Sequence, residues 1–99
     1  MTIGQLIKQL RENAGMKQRE LAAKLEIGEG FLSKVENDQK LIKRDDLTKI
    51  SQLFNTKLSE LETLWLANKI YNVIKYESNA IDALHVAEEE ISYLTKQKK

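Results

Sequence analysis

The chain has no cysteine, no proline and a single histidine. Without cysteine there is neither a disulfide framework nor a thiolate metal site, and one imidazole is too few for a zinc site built on histidine. No metal and no other cofactor is expected. The absence of proline, with only four glycines in 99 residues, argues against a strand-and-turn architecture and for helices with short connections. Long apolar runs are also missing: the longest is Leu64-Trp65-Leu66-Ala67, where a membrane span needs about 20 residues. The opening Met-Thr-Ile-Gly-Gln lacks the basic-then-apolar pattern of a signal peptide, so the expected location is cytoplasmic, with no membrane partner. A charge bias is absent as well. Sixteen basic and fifteen acidic side chains nearly cancel, so affinity for a polyanion has to come from local clustering. Lys8, Arg11, Lys17, Arg19 and Lys24 form one basic stretch, interrupted by Glu12 and Glu20. Lys34, Lys40, Lys43 and Arg44 form another, interrupted by Glu36 and Asp38. Interspersed charge of this kind also suits an ordinary solvated surface.

What is present is a globular composition, 41% hydrophobic and 31% charged, in a chain long enough for one small core. Apolar spacing predicts helices almost throughout. Thr2 and Gln5 have the form of a capping box ahead of the stripe Ile3, Leu6, Ile7 and Leu10, and Gly15 suits the stop after Asn13. A second helix over about 18–25 carries Leu21, Ala22 and Leu25, and a third over about 29–37 carries Leu32 and Val35. Asp45 or Asp46 opens a fourth with Leu47, Ile50, Leu53 and Phe54, capped by Asn55. Ser59 and Glu62 have the form of another capping box, opening a helix with Leu61, Leu64, Trp65, Ile70, Val73 and Ile74. Glu77-Ser78-Asn79 interrupts it, and Ser78 or Asn79 caps a last helix to about residue 96. Lys96, Lys98 and Lys99 stand where cations suit a helix C-terminus.

The stretch from Gln18 to Glu36 has a specific grammar. In a window opening at Gln18, Leu21, Ala22 and Leu25 occupy positions four, five and eight, Ile27 ten, Leu32 fifteen and Val35 eighteen. Two short helices crossing at ~90–120° through a tight turn need this order, with small Ala22 permitting close approach and Ile27, Leu32 and Val35 filling the wedge. A generic helical hairpin would also show helical spacing, but not the small residue at the crossing together with all the other positions.

On the run Met16-Lys17-Gln18-Arg19-Glu20-Leu21-Ala22-Ala23-Lys24-Leu25, followed by Leu32-Ser33-Lys34-Val35-Glu36-Asn37, the chain resembles the Xre/Cro-type helix-turn-helix regulators. That family includes the lambdoid phage repressors and the controller proteins of restriction–modification systems. The resemblance covers roughly residues 3 to 64. It implies an all-α fold, with a five-helix lambda-repressor-like head, and an internal ion pair between Arg11 and Glu36. Leu58-Ser59-Glu60-Leu61 matches the opening of its fifth helix. Glu26 stands where the family has a turn glycine at positive φ, and Gly28-Glu29-Gly30-Phe31 replaces the hydroxyl and amide residues that often read bases there. The resemblance implies double-stranded DNA as partner, with the third helix entering the major groove. Gln18 and Arg19 then stand at the phosphate-holding start of helix two. Glu29, Gly30, Phe31, Ser33 and Lys34 stand on the reading helix, while Asn37, Lys40, Lys43 and Arg44 follow it, towards the DNA backbone. Phe31 either presses on a thymine methyl or packs on helix two.

Domain organisation is expected as a DNA-binding head over 1–64 and a C-terminal helical extension over 65–99. In the last helix Ala80, Leu84, Ala87, Ile91 and Leu94 follow alternating four- and three-residue steps, a short heptad seam. With Trp65, Leu66, Ile70, Val73 and Ile74 of the preceding helix it offers more apolar surface than one helix can hide. Either the two helices fold back as a hairpin on the head or they form a homodimer interface. Catalysis is not expected. Gly28-Glu29-Gly30 lacks the following glycine and preceding strand of a dinucleotide loop, and His85 near Asp82 has no nucleophile to serve. No small-molecule ligand is evident. The reading is a sequence-specific transcriptional regulator, a homodimeric repressor or autoregulator on a pseudopalindromic operator. The alternatives are a controller or antitoxin type governing a neighbouring gene pair, and a helix-turn-helix used only to bind protein.

Overall fold

The computed structural model describes residues 1–97 and contains six helices in that range: α1 Ile3–Asn13, α2 Gln18–Leu25, α3 Glu29–Glu36, α4 Asp46–Phe54, α5 Leu58–Ile74 and α6 Ala80–Gln97. The expected C-terminal cations Lys98 and Lys99 lie outside the described residues. The chain divides into two compact units, Met1–Lys69 and Ile70–Lys99, so α5 contributes to both.

In the first unit each helix boundary has a local cause. Thr2 caps α1: its hydroxyl accepts from the Gln5 N–H at 3.0 Å while the Gln5 side chain accepts from the Thr2 N–H at 3.1 Å. Gly15 ends the turn after α1 at φ 68°. Glu20 reaches back to the Lys17 N–H at 3.0 Å, covering one of the open donors at the start of α2. Glu26 terminates α2 in the left-handed region at φ 59°, as the missing turn glycine requires, and Asn55 ends α4 the same way at φ 52°.

One expected capping box fails. α5 begins at Leu58, which packs against the core, so Ser59 lies inside the helix rather than ahead of it. Its carbonyl accepts from the Thr63 hydroxyl at 2.8 Å, and Glu62 turns to Arg44 instead of closing a box. At α6 Asn79 stands at the N-cap position, its backbone carbonyl accepting from Ala83 N–H at 2.9 Å.

The core is built from Ile3, Ile7, Leu21, Ala22, Leu25, Leu32, Val35, Ile42, Leu47, Ile50, Leu61 and Trp65. Fully burying each larger side chain stabilises the fold by about 1.5–3 kcal/mol. Trp65 belongs to this core, with its indole N–H donating to the Ile42 carbonyl at 2.7 Å. It therefore does not supply spare apolar surface to an extension. Gly4 lets α1 approach the end of α3, because a Cβ there would overlap the Val35 carbonyl. Thr2 and Asp38 fasten the same corner with a 2.6 Å hydrogen bond.

In the second unit, Ile70, Leu84, Ala87 and Ile91 line an open apolar groove, with His85, Glu88 and Ser92 at its margin. α6 has no buried residue. No helix among the described residues is long and apolar enough to cross a membrane.

Candidate nucleic-acid interface

α2 and α3 are held by a crossing built from small and branched side chains. Ala22 is buried where the helices approach, and Leu21, Leu25, Leu32 and Val35 close the space around it. Ile27, in the turn, packs on the rim of that cluster. Beneath it lies the expected ion pair. Arg11 Nε and Nη2 donate to the two Glu36 carboxylate oxygens at 2.7 and 2.9 Å, and Arg11 Nη1 donates to the Met16 carbonyl at 2.8 Å. Hydrogen bonding to Glu36 raises the Arg11 pKa above its ordinary value, against an opposing effect of burial. The pair is buried and bidentate, so it fixes the end of α3 against α1 by geometry as well as charge.

With Leu32, Val35 and Glu36 directed inward, helical periodicity puts Gly30 and Lys34 on the opposite, exposed face of α3, with exposed Asn37 just past its end and Glu29 and Ser33 along its flank. Lys34 is exposed and makes no ion pair among the described residues; Ser33 is half-buried. Gly30 has open space where a Cβ would project, so nothing in the fold demands glycine there. Of the two roles open to Phe31, packing is the one the structure displays: it is partly buried against the core cluster.

The flanking residues divide. Gln18, at the start of α2, is half-buried, and its amide donates to Glu36 Oε1 at 2.9 Å. It is tied to α3 through the same carboxylate that holds Arg11, which the sequence spacing did not reveal. Its amide oxygen and second N–H are not used in that bond. Arg19 is exposed. After α3 the Lys34 carbonyl accepts from the Gln39 and Lys40 N–H groups at 2.8 and 3.3 Å, folding the segment back on the helix end. Asn37, Lys40 and Lys43 remain exposed around this turn. Arg44 departs from the expectation of a free cation. Its guanidinium lies 3.3 Å from Glu62 and 5.4 Å from the Trp65 ring centroid, both on α5. Neither partner was recognisable from spacing, since they lie 18 and 21 residues away in the chain.

The expected interface residues in the second half share one property. Leu66, Ile70, Val73, Leu84, Ile91 and Leu94 are exposed within a single chain; Ala87 is exposed and Ala80 partly so. No group of three or more His, Asp or Glu side chains is placed to hold a metal ion among the described residues.

A short helix, a left-handed break at Glu26 and a second short helix with one face buried and one free define a helix-turn-helix unit. The chain belongs to the helix-turn-helix family, whose model matches residues 7–61, the Xre-like branch that the sequence resembled. It is 39% identical over 61 residues to the HTH-type transcriptional regulator ImmR of Bacillus subtilis (strain 168). That match covers 62% of this chain and 48% of the relative, so the chain spans about half the length of the curated relative it matches. No solved structure matches the chain. α6 lies wholly outside the residues of the family match.

Proposed function

We propose that this protein is a sequence-specific double-stranded DNA-binding transcriptional regulator, acting as a homodimeric repressor or autoregulator in the cytoplasm. The observation that carries the reading is the division of α3. Leu32, Val35 and Glu36 lock one face into the head, while Gly30, Lys34 and, just past the helix end, Asn37 face outward with no structural task. Membership of the helix-turn-helix family and likeness to a transcriptional regulator support the same assignment.

In this mechanism α3 enters the major groove, where Lys34 and Ser33 reach base edges. Gln18, Arg19 and the start of α2 hold one phosphate, and Lys40, Lys43 and Arg44 hold others. Two copies joined through Leu84, Ala87, Ile91 and Leu94 with the outward face of α5 would read half-sites about 34 Å apart. A head over 1–64 and a dimerisation extension over 65–99, of which Trp65 itself packs in the head, is the corresponding division of labour.

Selection of duplexes from a random pool tests the proposal, and enrichment of a palindrome is the expected result. Log affinity for that duplex should fall with log salt at a slope near −7, from about eight phosphates met by Arg19, Lys40, Lys43 and Arg44 of the two subunits. Lys34→Ala should cost about 1–3 kcal/mol on the preferred site and relax preference at one base per half-site. Lys43→Ala should weaken all duplexes alike. A chain that retards no duplex at low salt is a protein-interaction module instead, the reading that exposed Glu29 on α3 would then favour.

A further inference from the structure

Arg44 differs from the other cations that follow α3. Lys40 and Lys43 extend into solvent with no ion pair among the described residues. Arg44 meets Glu62 through two nitrogens, Nε at 3.4 Å and Nη2 at 3.3 Å, beside the Trp65 ring. Trp65 is a fixed platform: it is buried, and its indole N–H is committed to the Ile42 carbonyl. Glu62 is not fixed in this way. The Arg44 and Glu62 side chains are 50% and 34% exposed, and both hydrogen bonds are long. Such a pair is weak, screened by solvent and readily exchanged. The guanidinium fork that accepts a carboxylate suits a phosphate equally well.

We propose that Glu62 is an internal competitor for DNA phosphate. It occupies Arg44 in the free protein and is displaced when a duplex binds, so the Arg44–Glu62 pair holds DNA affinity below what the cations would otherwise deliver. Trp65 keeps the guanidinium in place during the exchange through the cation–π contact. Little side-chain freedom is then lost when the phosphate arrives. The proposal rests on the DNA-binding reading above, and adds to it a residue of α5 that never touches the duplex.

The test is a double-mutant cycle on the enriched duplex at fixed salt, comparing wild type, Glu62→Gln, Arg44→Ala and the double variant. Glu62→Gln should tighten binding about two- to fivefold per subunit, the strength of an exposed pair. Arg44→Ala should weaken binding and reduce the salt slope by about 0.9 per subunit. In the Arg44→Ala background Glu62→Gln should change nothing. Trp65 is the sole tryptophan, so duplex addition should shift its emission in wild type and not in Arg44→Ala. Equal tightening by Glu62→Gln in both backgrounds would reduce Glu62 to a contributor to overall charge and overturn the proposal. So would an absence of tightening in wild type. If wild type binds duplex and the cycle shows no coupling, the competitor role alone falls; if wild type binds no duplex, the DNA-binding reading falls and takes this role with it.

Discussion

The two units of this chain spend similar apolar side chains in opposite ways. In residues 1–69 twelve apolar residues form a core that is almost free of solvent, and the buried charges Arg11 and Glu36 satisfy each other. In residues 70–97 Ile70, Leu84, Ala87 and Ile91 line an open groove, and Leu84, Ile91 and Leu94 are 39%, 61% and 55% exposed. Both units have regular helical spacing. The contrast teaches that periodicity defines a face but does not say which surface covers it. α5 shows both outcomes on one helix: Leu61 and Trp65 are buried in the head, while Leu66, Ile70 and Val73 are exposed.

The largest effect expected from breaking this contrast is on association. If a second copy covers the α6 seam, Leu84→Glu/Ile91→Glu removes two contacts worth about 1.5–3 kcal/mol each and adds four buried charges per dimer. Sedimentation should show a wild-type dimer become a monomer, with the urea midpoint of the head unchanged. A variant that sediments as wild type does would exclude the seam as an interface.

Next in size is a change inside the head. Glu36→Ala leaves Arg11 buried without its carboxylate and releases Gln18 as well, and should cost about 3–5 kcal/mol. The matching change in the other unit, Glu88→Ala on exposed α6, should stay within about 0.5 kcal/mol. Urea denaturation below the association concentration measures both, and similar losses would erase the distinction between the units.

The smallest effect should be a gain. Glu26 holds a left-handed conformation at φ 59°, which costs a non-glycine residue roughly 1–2 kcal/mol. Glu26→Gly should stabilise the head by up to about 1 kcal/mol, since the greater freedom of glycine in the unfolded chain offsets part of the relief. A loss of stability in the same titration would give the Glu26 side chain a role that its exposure does not indicate.

Much of the head was legible because its information is local. The Thr2–Gln5 capping box, the stop at Gly15, the α2–turn–α3 grammar and the cap at Asn55 depend on residues within a few positions of one another, and each is present. The Arg11–Glu36 pair spans 25 residues and became visible through family resemblance. The Ser59–Glu62 box misled, because a capping pattern competes with tertiary partners: Leu58 found the core and Glu62 found Arg44. Ile42 and Trp65 were illegible for a related reason. Ile42 lies outside any helix and has no periodic neighbour, yet it is buried, and its carbonyl receives the Trp65 indole N–H across 23 residues.

By itself, then, the sequence determined the helices, the crossing of α2 and α3 and the family, since backbone propensity, caps and apolar period act over one or two turns. The tertiary structure alone decided how the polar side chains of the candidate interface are committed. It ties Gln18 to Glu36, leaves Lys34, Lys40 and Lys43 exposed, and gives Arg44 to Glu62 beside Trp65. Those choices depend on which side chains meet in space after the core has closed. Gln18 bonds Glu36 where water is thinned around it, whereas exposed Arg44 takes the carboxylate and ring that the folded chain leaves beside it, and the carboxylate is 18 residues distant in both cases.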